Sequence, residues 1–196
     1  MRIGIFTEVY TPTIDILSKE TEILKNTLLG LGHEVIIITR GKSFSFQDNI
    51  LSLPLRNFGR FFPSSIYSAI HFKCFKEIKK LNLDLVHLQE DSSICLLGEQ
   101  LSVYLQLPLV FTFNPEFYRM PISGTLLQRK IFGKSWRTSI PRIIEKHGQI
   151  ITKCNYDVLT LRNEGILDSL CMINFSDNDL PEEITYAYQS AIKSNF

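Results

Sequence analysis

Apolar positions along this chain fall into short β-branched runs separated by longer stretches with helical spacing. Arg2-Ile3-Gly4-Ile5-Phe6 opens as a buried strand. Over residues 20–31, Ile23, Leu24, Thr27, Leu28 and Leu31 recur at the spacing of one helix face, and Gly32 follows as a C-cap. Glu34 to Thr39 (Glu-Val-Ile-Ile-Ile-Thr) is a second β-branched run and a second buried strand. Strand, helix and strand in this order make a βαβ unit with a right-handed crossover.

The rhythm continues. Residues 50–53 read as a short strand stopped by Pro54. Residues 64–81 read as a helix, with Tyr67, Ile70, Cys74, Ile78 and Leu81 on one face and Lys73, Lys76 and Lys80 largely away from it. Asp84 to Leu88 is a strand; residues 93–105 are a helix with Leu97, Leu101 and Tyr104 inward; Pro108 to Phe113 is a strand. The stretch 114–135 is rich in loop signals, including Pro115, Pro121, Gly124 and Gly133, and a helix follows through Lys146. Gln149 to Thr152, Tyr156 to Asn163 and Leu170 to Phe175 read as strand, helix and strand. Pro181 suits the first turn of a terminal helix, with Glu182 and Glu183 at its positive end. The fold class this predicts is α/β: a single Rossmann-like, doubly wound unit over residues 1–196, its mostly parallel sheet of at least six strands covered by helices on both faces.

Composition narrows the class. At 196 residues, 44% hydrophobic and 21% charged, the chain is ordinary for a globular domain with a real core. Cys74, Cys95, Cys154 and Cys171 lie far apart with no paired spacing and no adjoining histidine set, which predicts reduced cytoplasmic thiols and no metal site. The first apolar stretch is too short for a signal peptide, and no run approaches the roughly 18 apolar residues of a spanning helix, so membrane contact would be peripheral, on the inner face.

The net charge of +1 conceals an asymmetry. Residues 56–80 and 119–146 together carry 13 of the 21 basic residues and 2 of the 20 acidic ones, leaving the rest of the chain at −10. Such segregation predicts a basic face meeting an anionic surface. Phe61 and Phe62 stand beside Arg56 and Arg60, just ahead of the helix that carries Lys73, Lys76 and Lys80. Aromatic and basic residues mixed in this way suit a membrane headgroup region. The other reading, phenylalanines in the core and lysines on a solvated helix face, stays open. No nucleic-acid-binding module is visible.

Several motifs, in order, resemble those of the family-4 retaining glycosyltransferases of GT-B architecture, and among these the diacylglycerol glucosyltransferases. The opening strand running into Thr7-Glu8-Val9-Tyr10-Thr11-Pro12 resembles the family's start. Gly32-His33-Glu34-Val35 resembles its Gly-His-Glu-Val, Leu83-Asp84-Leu85-Val86-His87 its Asp-Ile-Val-His, and Leu107 to Phe113 its Ile-Pro-Val-Val-x-Thr-Tyr. The resemblance covers most of the chain and implies the N-terminal, acceptor-side domain. It also implies departures. Asp15-Ile16 stands where the family has Asn-Gly in a donor-facing loop formed here by Pro12, Asp15, Ile16 and Leu17; a glycine there lets backbone approach a diphosphate, and Ile16 blocks it. Gln89 replaces a histidine after the fourth strand, and Asn114, with Glu116 close by, stands at the family's active-site histidine. Asparagine hydrogen-bonds but cannot change charge near neutral pH.

Glu8, His87, Gln89, Glu90 and Asp91 are the candidate cleft, because in an open α/β sheet ligands bind at the carboxyl ends of the strands. The alternatives are that polar residues simply end strands, that Glu90-Asp91 caps the following helix, and that His87 is a satisfied structural histidine. The resemblance implies transfer of a hexose from a nucleotide sugar of the UDP-glucose type to a lipid acceptor, with the nucleotide held by a separate donor-binding glycosyltransferase subunit and no cofactor bound by this chain. The competing reading is a catalytically inactive accessory that binds a membrane surface or a glycosyltransferase partner.

Overall fold

The structure is a computed structural model. It describes residues 1–10, 16–55, 64–90, 92–113, 148–163, 165–166, 169–175 and 179–194, with the side chains of 64–71 and 93 left aside. Its elements run β1 (Arg2–Thr7), α1 (Ile16–Gly30), β2 (Glu34–Arg40), β3 (Ser45–Gln47), β4 (Ile50–Leu53), α2 (Ser64–Lys79), β5 (Leu85–Leu88), α3 (Ser93–Leu105), β6 (Leu109–Thr112), β7 (Gly148–Thr152), α4 (Asn155–Asn163), β8 (Leu170–Met172) and α5 (Leu180–Ser194).

Eight strands form one sheet in the order β3-β4-β2-β1-β5-β6-β7-β8, and every pairing is parallel except β3 with β4. The expected α/β class and mostly parallel sheet are therefore present. Alternation within each strand divides the core in two. Phe6, Ile36, Ile38, Val86 and Leu88 point to the face packed by Cys74 and Ile78 of α2, Leu97 and Leu101 of α3, and Leu161 of α4. Ile3, Ile5, Val35, Ile37 and Leu85 point to the face packed by Leu24 and Leu28 of α1 and by Ile184, Ala187, Tyr188 and Ala191 of α5. A strand buried on both sides reads as an uninterrupted apolar run, which is why β1, β2, β5 and β6 were legible in the sequence.

Helix α1 ends as its sequence predicts. Gly32 is left-handed (φ 77°), its N–H reaches the Leu29 carbonyl, and the His33 N–H reaches that of Leu28, both at 3.0 Å. This is a Schellman closure, in which glycine adopts the left-handed conformation without a Cβ penalty. Helix α3 lies close over the sheet because Gly98 has no Cβ; one built there would come within 2.8 Å of Leu88 and Phe6.

Four expectations need correction. Helix α1 begins four residues earlier than the apolar spacing suggested, and its buried face is Ser18, Thr21, Leu24 and Leu28, so Ile23 and Leu31 are exposed. Tyr104 does not face inward: it is 68% exposed, edge-on to Phe75 at 6.1 Å with Lys79 over its ring. Strand β8 stops at Met172 rather than running to Phe175. Strand β3 was missed because its three residues are all exposed and carry no hydrophobic run. Its signal was the turn: Asp48 and Asn49 both take positive φ (51° and 59°), the two-residue hairpin geometry that such residues favour. The expected helix through Lys146 lies outside the described residues.

Candidate functional site

Strands β1 and β5 are neighbours, yet α1 leaves β1 for one face of the sheet and α3 leaves β5 for the other. The chain therefore leaves their carboxyl ends in opposite directions, which makes this edge the switch point at which open α/β sheets place ligands. The residues there follow from strand length. Thr7 closes β1, Glu8 follows it, and Gln89 and Glu90 follow β5, with the Gln89 N–H bonded to the Phe6 carbonyl at 3.0 Å. Buried threonines also stand at the carboxyl ends of β2 (Thr39), β6 (Thr112) and β7 (Thr152). Each has a partner: Thr39 Oγ1 donates to the Glu8 carbonyl, Thr152 Oγ1 to that of Cys171, and Thr112 shares a bond with His87.

Glu90 is the centre of this edge. Its side chain is fully buried, and its carboxyl accepts from the Glu8 N–H, from Thr7 Oγ1 at 3.1 Å and from Ser92 Oγ at 3.0 Å, with the Cys95 thiol at 3.8 Å. Burial lifts its pKa to about 7, partly offset by those donors and reinforced by the neighbouring Glu8. Glu8 itself is ion-paired with Arg40 at the end of β2. Glu90 thus belongs to the junction between β1 and α3 rather than to the helix cap. The cap is Ser92, whose side chain accepts from the Cys95 N–H at 3.4 Å.

His87 is not open to a cleft. It is fully buried, with Nδ1 2.6 Å from the Tyr188 hydroxyl of α5 and Nε2 2.8 Å from Thr112 Oγ1. Burial drops its pKa to about 3, so the ring is neutral and structural. Gln89 differs from both neighbours. It is fully buried, and among the described residues neither its Oε1 nor its Nε2 has a hydrogen-bond partner. An orphaned amide of this kind costs stability and is normally explained by a bound group or water.

Ile16 and Leu17 form the first turn of α1 rather than a loop, and Ile16 is 71% exposed. Further along, α1 is tied to other elements: Glu20 pairs with Lys153 just beyond β7, and Glu22 and Lys25 bond Tyr10. Lys73, Lys76 and Lys80 are exposed on and just past α2, beside Phe72, which is 74% exposed. Lys80 is held by Glu77 at 2.8 Å, and Lys73 lies 4.7 Å over the Phe44 ring. Pro12, Asp15, Arg56, Arg60, Phe61, Phe62, Asp91, Asn114 and Glu116 lie outside the described residues. The sequence reading missed Thr7, Ser92, Cys95, Thr112 and Tyr188. Ser92 carried a signal, as the last good capping residue type before an apolar helix; the His87–Tyr188 contact, 101 residues apart, carried none. No helix among the described residues is long and apolar enough to cross a membrane.

Comparison with known proteins assigns the chain to a family. Two relatives are both alpha-monoglucosyldiacylglycerol synthases. The one from Acholeplasma laidlawii is 30% identical over 125 residues, 60% of this chain and 30% of its own length. The one from Streptococcus pneumoniae is 29% identical over 120 residues, 60% of this chain and 27% of its own length. The chain therefore spans under a third of the relatives it matches. A solved structure, MurG of Acinetobacter baumannii, aligns over 93% of this chain and 68% of its own at 10% identity, with a TM-score of 0.42. The model of Glycosyltransferase Family 4 matches residues 21–163, which takes in the switch-point strand β5, Gln89 and Glu90; this chain belongs to that family.

Proposed function

We propose that this domain is the acceptor-side half of a glycolipid-forming glycosyltransferase, presenting a lipid hydroxyl at the carboxyl edge of β1 and β5 to a hexose held as a nucleotide sugar by a donor-binding partner. The observation that carries the reading is Gln89: a buried amide whose acceptor and two donors go unused among the described residues, set at the switch point of a family-4 domain. Such a group suits hydroxyls, which give and take one hydrogen bond each. The names of both relatives give the product class, a glucosylated diacylglycerol, which makes diacylglycerol the acceptor class proposed here. Exposed Phe72, Lys73 and Lys76 would rest on anionic lipid and keep the acceptor within reach.

A second reading is favoured by His87 and Ile16. With both ring nitrogens engaged, His87 has no capacity left for substrate, and Ile16 puts an exposed β-branched side chain where the resemblance implies bare backbone. On that reading the domain is a catalytically silent accessory that binds a membrane or a glycosyltransferase partner. One experiment separates the two. The purified chain alone should neither bind UDP-glucose in calorimetry nor transfer from it. Mixed with a donor-binding domain and vesicles containing diacylglycerol, it should form glucosyldiacylglycerol, and Gln89→Leu should reduce that rate at least tenfold. Micromolar UDP-glucose binding by the chain alone would overturn the division of labour; no product in any mixture would leave the accessory reading.

A further inference from the structure

Thr7 has one hydroxyl hydrogen and two acceptors within reach. Its Oγ1 lies 3.1 Å from Glu90 Oε2 and 3.3 Å from the Val9 carbonyl. The same Val9 carbonyl faces Ser18 Oγ, in the first turn of α1, at 3.5 Å. One hydrogen cannot serve both oxygens, so the protonation state of Glu90 decides where it goes.

The two carboxyl oxygens are not equivalent. Oε1 receives the Glu8 N–H, a donor that cannot reverse, together with Ser92 Oγ. Oε2 faces the Thr7 hydroxyl, which can either give or accept. A proton on Glu90 therefore belongs on Oε2, where the new O–H donates to Thr7 Oγ1 and turns the threonine hydrogen toward Val9. When that proton leaves for solvent, Thr7 donates to the carboxylate, and the Val9 carbonyl keeps only the longer Ser18 bond.

We infer that Glu90, Thr7 and Val9 form a proton-linked latch, which ties the chain leaving β1 to the switch-point edge when Glu90 is protonated and releases that tie when it ionises. The groups facing Glu90 fit this role. From the β1 exit come Glu8 and its partner Arg40; from α3 come Ser92 and the Cys95 thiol, which burial keeps protonated. From β5, Gln89 is uncharged and His87 is turned away to Tyr188 and Thr112. Asp91 lies outside the described residues. Burial places the Glu90 transition near neutrality, where a modest change of pH operates the latch.

The latch is read on the chain alone, by carbon-13 NMR, so its failure and the failure of the glycosyl-transfer reading are separate results. In the wild type, the Glu90 carboxyl resonance and the Val9 carbonyl resonance should titrate with one shared midpoint near neutral pH. Thr7→Val keeps the shape and removes the hydroxyl; the Val9 response should vanish while Glu90 still titrates. Glu90→Gln should abolish the Val9 response as well, and serves if Thr7→Val does not fold. A Val9 carbonyl that stays still while Glu90 titrates, one that moves equally in Thr7→Val, or a Glu90 that does not titrate between about pH 5 and 9 would each overturn the latch.

Discussion

Glu90 and His87 lie three residues apart, both fully buried, and the pH dependence of stability follows from how burial moves them in opposite senses. Glu90 is lifted from the ordinary 4.5 to about 7, so over that interval the folded chain holds a proton that the unfolded chain has released. Stability contributed by Glu90 therefore falls as pH rises from 4.5 to 7. His87 is depressed from 6.5 to about 3, so the unfolded chain takes up a proton first, and stability falls as pH drops below 6.5. The two slopes oppose each other between 4.5 and 6.5. Glu90→Gln removes the first alone. Relative to wild type, the variant should gain stability on going from about pH 5 to 8, by on the order of 3 kcal/mol at most, one pKa unit being about 1.4 kcal/mol. Urea denaturation at a series of pH values measures the difference, and a pH-independent difference would contradict a raised Glu90. Gln89→Leu tests the neighbouring residue. Replacing an amide that makes no bond among the described residues with an apolar side chain of similar volume should raise the stability of the free chain by about 1–3 kcal/mol. A loss of that size would mean that ordered water satisfies the amide.

At the scale of elements, helix α2 carries both a core face and a charged face. Cys74 and Ile78 are buried, while Phe72, Lys73, Lys76 and Lys79 are exposed and Lys80 follows directly. The burial pattern matches the helical spacing in the sequence, because a 3.6-residue period dictates which side chains can reach the sheet. If the outer face meets anionic lipid, replacing Lys73, Lys76 and Lys80 with Gln should weaken vesicle binding by ~1 kcal/mol per charge, with Lys80 contributing least because Glu77 already holds it. Stability should change little, since exposed charges carry little of it. Co-sedimentation with neutral and anionic vesicles at low and high salt reads this directly; equal recovery from both vesicle types would leave the lysines as a surface for a protein partner. The glycine at 98 works at the same scale, letting α3 approach β1 and β5 closely enough for its first turn to share the Glu90 junction.

For the whole molecule, the sheet order brings together residues that the sequence keeps far apart. The chain leaves β1 at Thr7 and returns as the neighbouring strand β5, which ends at Leu88 beside Phe6, so Thr7 and Glu90, 83 residues apart, share a hydrogen bond. Helix α5 closes the opposite face and seals His87 with Tyr188, from 101 residues away. The family match over residues 21–163 sits on this frame, and the 30% identity to an alpha-monoglucosyldiacylglycerol synthase extends over 60% of the chain but only 30% of that relative. Glycosyl transfer is accordingly a proposal for this chain.

The sequence by itself determined the α/β class, nearly every strand and helix of the described residues, the Gly32 closure and the edge of the sheet on which the polar candidates stand. It could do so because strand and helix periods are local, and because strands buried on both faces read as unbroken apolar runs. The short strand β3 escaped because it is exposed throughout and buries nothing. Tertiary structure alone decided which of Glu8, His87, Gln89 and Glu90 is paired and which is left without a partner among the described residues. Spacing along a chain fixes which face a side chain takes, whereas hydrogen-bond partners and burial depend on which strands become neighbours. His87 became structural through Tyr188 and Thr112, Glu90 became a junction through Thr7 and Ser92, and Gln89 was left with an amide that finds no partner among the described residues.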